Sequence, residues 1–325
     1  MNHDQRFVVD GSRRVVVIKK YRRSGGLAAL VAAAAIGLAA CGGTSALQAT
    51  NVANRVDVQG QGSGTAIDPA YFSQGACVAF PPTKGNRNLT VFLDAGHGGL
   101  DPGAVGTTES GQVIHEADET LPVVLDTMTA LRHAGFTVVV SRTGSTSVVR
   151  LAPGDVSQGA LSNKGVHDDV AARDVCANKA HANVLVGVYF NSGASASNAG
   201  SITAYDSARP FVADNLRLAD LVQSDVLAAM NAQGWKIPNA GVQTDQGLGS
   251  SLSSASQAYG HLLLLGPARK GYFSTPSTMP GALVEPLFIT DPFEATIAAS
   301  SRGQQVIAGG LARGIEQYFG HGRAG

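Results

Sequence analysis

From Leu89 onward, short apolar runs alternate with stretches whose apolar residues recur at helical spacing, and this alternation limits the fold most. Residues 89–93 (LTVFL) read as a buried strand. Leu121, Val124, Leu125, Met128 and Leu131 share one helix face, and Gly135 suits the cap at its end. Strands are expected over 136–140 and 184–189, with a helix over 165–181 between them, and an edge strand over 201–205. Val212, Leu216, Ala219, Val226 and Met230 mark a further helix opened by Pro210. Residues 236–260 are polar and rich in Gly and Ser, and read as a long rim loop. Two more strands are expected at 261–265 and 282–285. A closing helix carries Ile307, Leu311, Ile315, Tyr318 and Phe319. The pattern predicts an α/β fold: a single three-layer domain, its central twisted, mostly parallel or mixed sheet covered by helices on both faces. In such sheets, sites gather in loops beyond the strand ends.

The 325 residues carry a formal net charge of zero, unevenly placed. Residues 1–23 hold seven Lys/Arg against two Asp/Glu, and the chain from residue 41 holds 17 basic and 22 acidic residues. A mildly acidic body argues against nucleic acid as a partner. The basic segment precedes GGLAALVAAAAIGLAAC, an apolar run shorter than the roughly 20 residues that span a bilayer. Basic flank, short apolar run and small residues make a secretory signal over 1–40. Leu38-Ala39-Ala40-Cys41 looks like a lipobox, which implies lipidation of Cys41 and a membrane tether on an exported protein of the cell envelope. Residues 41–86, rich in Gly, Ser, Thr and Gln, read as a flexible linker, with 76–80 its first ordered piece. The domain then runs over 87–320. Cys77 and Cys176 are available for a disulfide in an exported protein, and the sequence leaves open whether they lie close enough.

Chemistry-bearing residues fall at strand ends and helix starts. His97 stands among glycines in Gly96-His97-Gly98-Gly99, directly after the first strand. Glu116 precedes the first helix, Tyr189 ends the strand after the second, and Glu285 ends the last strand. A hydrolytic zinc site needs three protein ligands, an open position for water and a nearby carboxylate base. His97 and Glu116 can supply two ligands and Glu285 the base. Asp94 and Asp101 are expected to shape the loop. Pro122 cannot sit deep in a helix, so the helix is expected to start near Asp118 or Glu119, with Glu116 on its entry loop.

Over about residues 88–320 the chain resembles the zinc-dependent N-acetylmuramoyl-L-alanine amidases, which trim bacterial peptidoglycan. LDAGHGGLDPGA matches the family's first motif, and Glu116 in HEADETL sits at its zinc-binding glutamate. GFTVVVSRT, ANVLVGV, LVEPLFITD and GIEQYF match later segments, the third of these placing Glu285 at the catalytic glutamate. The resemblance implies cleavage of the amide between N-acetylmuramic acid and L-alanine of the stem peptide, with Zn²⁺ as cofactor and peptidoglycan as substrate.

One position departs from the pattern. The family reads Ser-Ile/Leu-His-Ala-Asn where this chain has Gly187-Val188-Tyr189-Phe190-Asn191, so Tyr189 occupies the third ligand's place. A neutral phenol, with a pKa near 10, is a poor zinc ligand. Three outcomes stay open: Tyr189 coordinates as phenolate, another group such as His115, His167, His261 or water replaces it, or no metal binds. The alternative function is therefore a degenerate amidase fold that binds peptidoglycan or regulates enzymes that cut it. A hydrolase of some other amide is a third.

Overall fold

The structure, a computed structural model, describes residues 55–58, 60, 62–249 and 253–320. The expected signal segment and Cys41 lie outside the described residues. In chain order the strands are β1 (Arg55–Val58), β2 (Gly62–Ala66), β3 (Ala76–Phe80), β4 (Thr90–Ala95), β5 (Val105–Thr107), β6 (Val113–His115) and β7 (Thr137–Arg142). They continue with β8 (Val156–Ser157), β9 (Ala160–Leu161), β10 (Val184–Val188), β11 (Ser201–Tyr205), β12 (Asn239–Thr244) and β13 (Gly281–Glu285). The α-helices are α1 (Glu116–His133), α2 (Asn163–Lys179), α3 (Val212–Asn231), α4 (Ser254–Tyr259), α5 (Pro292–Ala298) and α6 (Ser301–Gly320).

Among the described residues nine strands form one mixed sheet in the order β1-β2-β3-β7-β4-β10-β13-β11-β12. Its centre, β7-β4-β10-β13, is parallel, flanked by antiparallel β3 and β11. The period of two along each strand sorts the core. Val91, Leu93 and Ala95 of β4, with Val184, Val186 and Val188 of β10, pack on buried residues of α1, α3 and α6. Phe92, Leu185 and Leu283 point the other way, onto Ala172, Cys176 and Ala177 of α2. The same alternation carries Asp94, Tyr189 and Glu285 to the α2 face. This is the three-layer α/β domain the sequence predicts.

Several boundaries differ from the sequence expectation. The stretch to residue 86 is not a linker throughout, because β1, β2 and β3 within it extend the sheet. β11 is not an edge strand: it lies between β13 and β12. The expected rim loop contains β12 and α4. Residues 261–265 form turns rather than a strand, and Leu264 and Leu265 are apolar because they pack under the α2 face. α1 begins at Glu116, ahead of the expected start, with Pro122 inside it. Its first turn is fixed from outside: Glu116 N–H donates to the Ala104 carbonyl (2.9 Å) and Ala117 N–H to that of Pro102 (3.0 Å). Those bonds satisfy donors that a helix start leaves open and hold the helix despite the hydrogen bond Pro122 removes.

Cys77 and Cys176 form a disulfide, with Cα atoms 5.7 Å apart, joining β3 to α2. A crosslink spanning 99 residues restricts the unfolded chain strongly. Buried carboxyls act in the opposite sense. Glu119 lies between α1 and α6, where it accepts from Gln304 Nε2 (2.9 Å). Burial pushes Glu119 up to about 7, against the lowering effect of that bond. A carboxyl with a raised native pKa holds its proton in the folded state and loses it on unfolding near neutrality. Its contribution is complete below about pH 4.5 and is lost as pH rises through about 7. Glu119→Gln keeps the acceptor for Gln304 without the titration. Urea unfolding should find the variant more stable at pH 8 by about 1 kcal/mol, after allowance for solvent screening, and its fall in stability between pH 5 and pH 8 shallower.

Candidate functional site

Beyond the C-terminal end of β4 the chain turns through Gly96, His97, Gly98 and Gly99. His97 takes a φ of 60°, a left-handed conformation that costs a non-glycine residue energy unless its surroundings enforce it. Two buried arginines supply the enforcement. Arg142, from the end of β7, donates Nε to the Ala95 carbonyl (3.1 Å) and Nη2 to that of Gly96 (3.0 Å). Arg173 of α2 donates Nη1 to the Ala95 carbonyl (2.7 Å) and Nη2 to that of His97 (2.9 Å). Arg173 is itself held by Asp94 (2.5 Å) and Asp169 (2.8 Å). Burial, then the charge of Arg173, lowers Arg142 to about 10.

The His97 imidazole is gripped at both nitrogens. Nδ1 lies 2.8 Å from Asp101 Oδ2 and Nε2 lies 3.1 Å from Glu116 Oε1. Burial opposes the imidazolium, but Glu116 and Asp101 outweigh it and raise His97 to about 10. Glu116 is anchored in turn. Its Oε2 accepts from Ala104 N–H (2.9 Å) and its Oε1 from Phe190 N–H (2.9 Å). The loop passes so close that a Cβ on Gly103, whose φ is +67°, would stand 2.7 Å from the His97 ring and 2.8 Å from Glu116.

Glu285 ends β13 and lines the same cavity as His97, a space of about 340 Å³. Among the described residues its carboxylate makes no hydrogen bond or ion pair. Burial, reinforced by the negative charge of Glu116, pushes it up to about 7, with His97 opposing. A carboxylate poised near neutrality and facing open space suits proton transfer.

Tyr189 faces the same region but turns its hydroxyl away from the pair. The phenol donates to Asp94 Oδ2 (2.9 Å) and its ring meets His97 edge-on at 5.3 Å. Burial and the Asp94 charge hold Tyr189 well above the usual phenol range. Gly96 makes room for the ring, since a Cβ there would lie 2.5 Å from it. Of the histidines considered as substitutes, His115 is the N-cap of α1, and His167 lines the cavity with Nδ1 on Asp168 (3.0 Å). His261 pairs with Asp206 and Asp245. Among the described residues no third His, Cys, Asp or Glu atom joins the His97–Glu116 pair within 4.8 Å.

This donor set suits a zinc ion at two positions. Ligands about 2.0–2.1 Å from a tetrahedral zinc stand roughly 3.3 Å apart, close to the observed 3.1 Å. Asp101 on Nδ1 is the partner that orients a metal-binding imidazole. At the third position the Tyr189 hydroxyl is engaged with Asp94. The sequence pointed to His97, Glu116, Tyr189 and Glu285, but it missed Arg173, 76 residues from His97 and outside any motif.

The sequence profile of the N-acetylmuramoyl-L-alanine amidase family matches residues 91–317, and the chain belongs to that family. It is 26% identical over 229 residues to the germination-specific N-acetylmuramoyl-L-alanine amidase of Bacillus subtilis, covering 70% of this chain and 79% of that protein. It is 28% identical over 253 residues to the amidase AmiA of Salmonella typhimurium, covering 74% and 79%. The CwlD amidase of Clostridioides difficile, solved in complex with the GerS lipoprotein, shares the fold at a TM-score of 0.54 and 20% identity, over 72% of this chain and all of that one. AmiC2 of Nostoc punctiforme does so at 0.50 and 24%, over 73% and 99%.

Arg173 is the test of the loop clamp. Arg173→Met leaves Asp94 and Asp169 buried without their partner, which should lower stability by about 3–5 kcal/mol in urea titrations. A loss below about 1 kcal/mol would show that the carbonyls of Ala95 and His97 do not need the guanidinium.

Proposed function

We propose that this protein is an exported, lipid-anchored peptidoglycan hydrolase that cleaves the amide between N-acetylmuramic acid and L-alanine of the stem peptide. The unpaired Glu285 carboxylate, sharing a cavity with His97, carries the reading. Family membership supports the bond and the substrate. The basic, apolar and lipobox pattern before Cys41 supports export and the anchor.

In this reading His97 Nε2 and Glu116 Oε1 would hold a zinc ion, with Asp101 orienting the imidazole. A zinc ion bound there would polarise the scissile carbonyl and make a water molecule acidic enough to lose a proton near neutrality. Glu285 takes that proton and returns it to the departing amine of L-alanine. Val166, Leu262 and Leu264 along the cavity wall exclude bulk water and give the stem peptide apolar contact. With two protein ligands in place of three, zinc is held more weakly than in a complete site.

The Tyr189–Asp94 bond favours a second reading, in which the cavity binds stem peptides without cutting them. One pair of assays separates the two. The full chain with zinc should release stem peptides from purified sacculi, and Glu285→Gln should slow release at least ~100-fold while sacculus binding persists. Binding without release by the unaltered chain would leave the second reading standing. Tyr189→His should tighten zinc at least tenfold in chelator competition. An unchanged affinity would mean that this position has no bearing on the metal.

A further inference from the structure

A second polar cluster lies apart from the His97 centre, at the ends of β11 and β12. These parallel neighbours pair Tyr205 with Thr244, so the following residues, Asp206 and Asp245, emerge side by side. Asp245 N–H donates to the Tyr205 carbonyl (2.9 Å), locking that register. Both carboxylates are fully buried. Each spends one oxygen on the backbone: Asp206 Oδ1 accepts from Ala208 N–H (2.7 Å) and Asp245 Oδ2 from Leu262 N–H (3.0 Å). The other oxygens turn to a shared point, where His261 Nδ1 lies 2.9 Å from Asp206 Oδ2 and 3.2 Å from Asp245 Oδ1.

The imidazole cannot satisfy both. The single Nδ1–H is engaged with Asp245 Oδ1. Asp206 Oδ2 is sealed from solvent and receives no hydrogen bond. An anionic oxygen in that state is costly, and the usual remedy is a cation. Arg209 does not serve, because its guanidinium donates to the carbonyls of Leu265, Gly266 and Ser277. Burial and the Asp206 charge push Asp245 up to about 7, against the lowering effect of His261, as expected for two carboxyls crowded together.

We propose that Asp206, Asp245 and His261 bind a first-row divalent transition-metal ion, of which zinc is the one to test. The three ligand atoms lie within 4.8 Å of one another, and one imidazole nitrogen with two carboxylate oxygens suits zinc better than calcium. His261 binds through Nδ1 after losing that proton, so loading releases a proton. The ion would clip both ends of the connection from Asp245 to His261 onto β11. Leu248, Ser253 and Ser256 within that connection, and Leu262 just after it, line the cavity shared by His97 and Glu285. The clip therefore fixes one wall of the cavity without taking part in its chemistry.

The test removes the first centre before probing the second. The full chain carrying His97→Ala, stripped with chelator, is dialysed against micromolar zinc and its metal content measured. One zinc per chain, a raised melting temperature and at least tenfold slower proteolysis between Asp245 and His261 are expected. All three should vanish on adding Asp206→Asn or, should that variant fail to fold, His261→Gln. No zinc bound by the His97→Ala chain, or binding and protection unchanged in the His261→Gln background, would overturn the proposal. Neither result bears on peptide release by the chain with His97 intact, so this site and the amidase reading fail separately.

Discussion

The Glu116 carboxylate is the contact on which the arrangement of the site depends. It ties two points of the loop after β4 to the segment beyond β10. Ala104 N–H reaches it from the glycine-rich loop, Phe190 N–H from the end of β10, and His97 Nε2 from the turn after β4. The position of Glu116 at the start of α1 also fixes where that helix meets the sheet. A carboxylate there is favoured by the helix N-terminus and is saved from unpaired burial by those donors. Imidazole placement, helix entry and loop closure thus share one residue.

Around this contact the protein confines several charges that would be unstable alone. Arg142 and Arg173 hold the carbonyls of Ala95, Gly96 and His97, so the strained turn is braced from below. Asp94 stands at the junction, accepting from Arg173 and from Tyr189. Tyr189 therefore joins the bracing network through its hydroxyl. The hydroxyl that would have to ionise to bind a metal is the donor that completes Asp94. Glu285 is the exception, a carboxylate left unpaired in the cavity, and an unpaired acid beside an open space is the arrangement proton transfer requires.

Much of this was legible in the sequence where apolar pattern and structure share a cause. β4, β7, β10 and β13 are buried on both faces and read as apolar runs, and α1, α3 and α6 show their core stripes. β2, GSGTA, carries no apolar run because it lies near the sheet edge, so a spacer was expected there. Leu264 and Leu265 suggested a strand because burial under α2 demands the same residues as a strand would. The GHG turn and the acids at 116 and 285 could be found from their places at element ends. The clamp of Arg173 on residues 76–79 positions away, and the Asp206–Asp245–His261 cluster, arise from register between distant segments, which residue type alone does not reveal.

The account stands on His97 being held between Asp101 and Glu116 in the folded chain. A side-chain ¹⁵N NMR titration of His97 in the metal-free protein measures this directly. The imidazole should stay doubly protonated to about pH 10. Titration near 6.5, the value of a free histidine, would mean that the two carboxylates do not grip the ring, and the site as described would not exist.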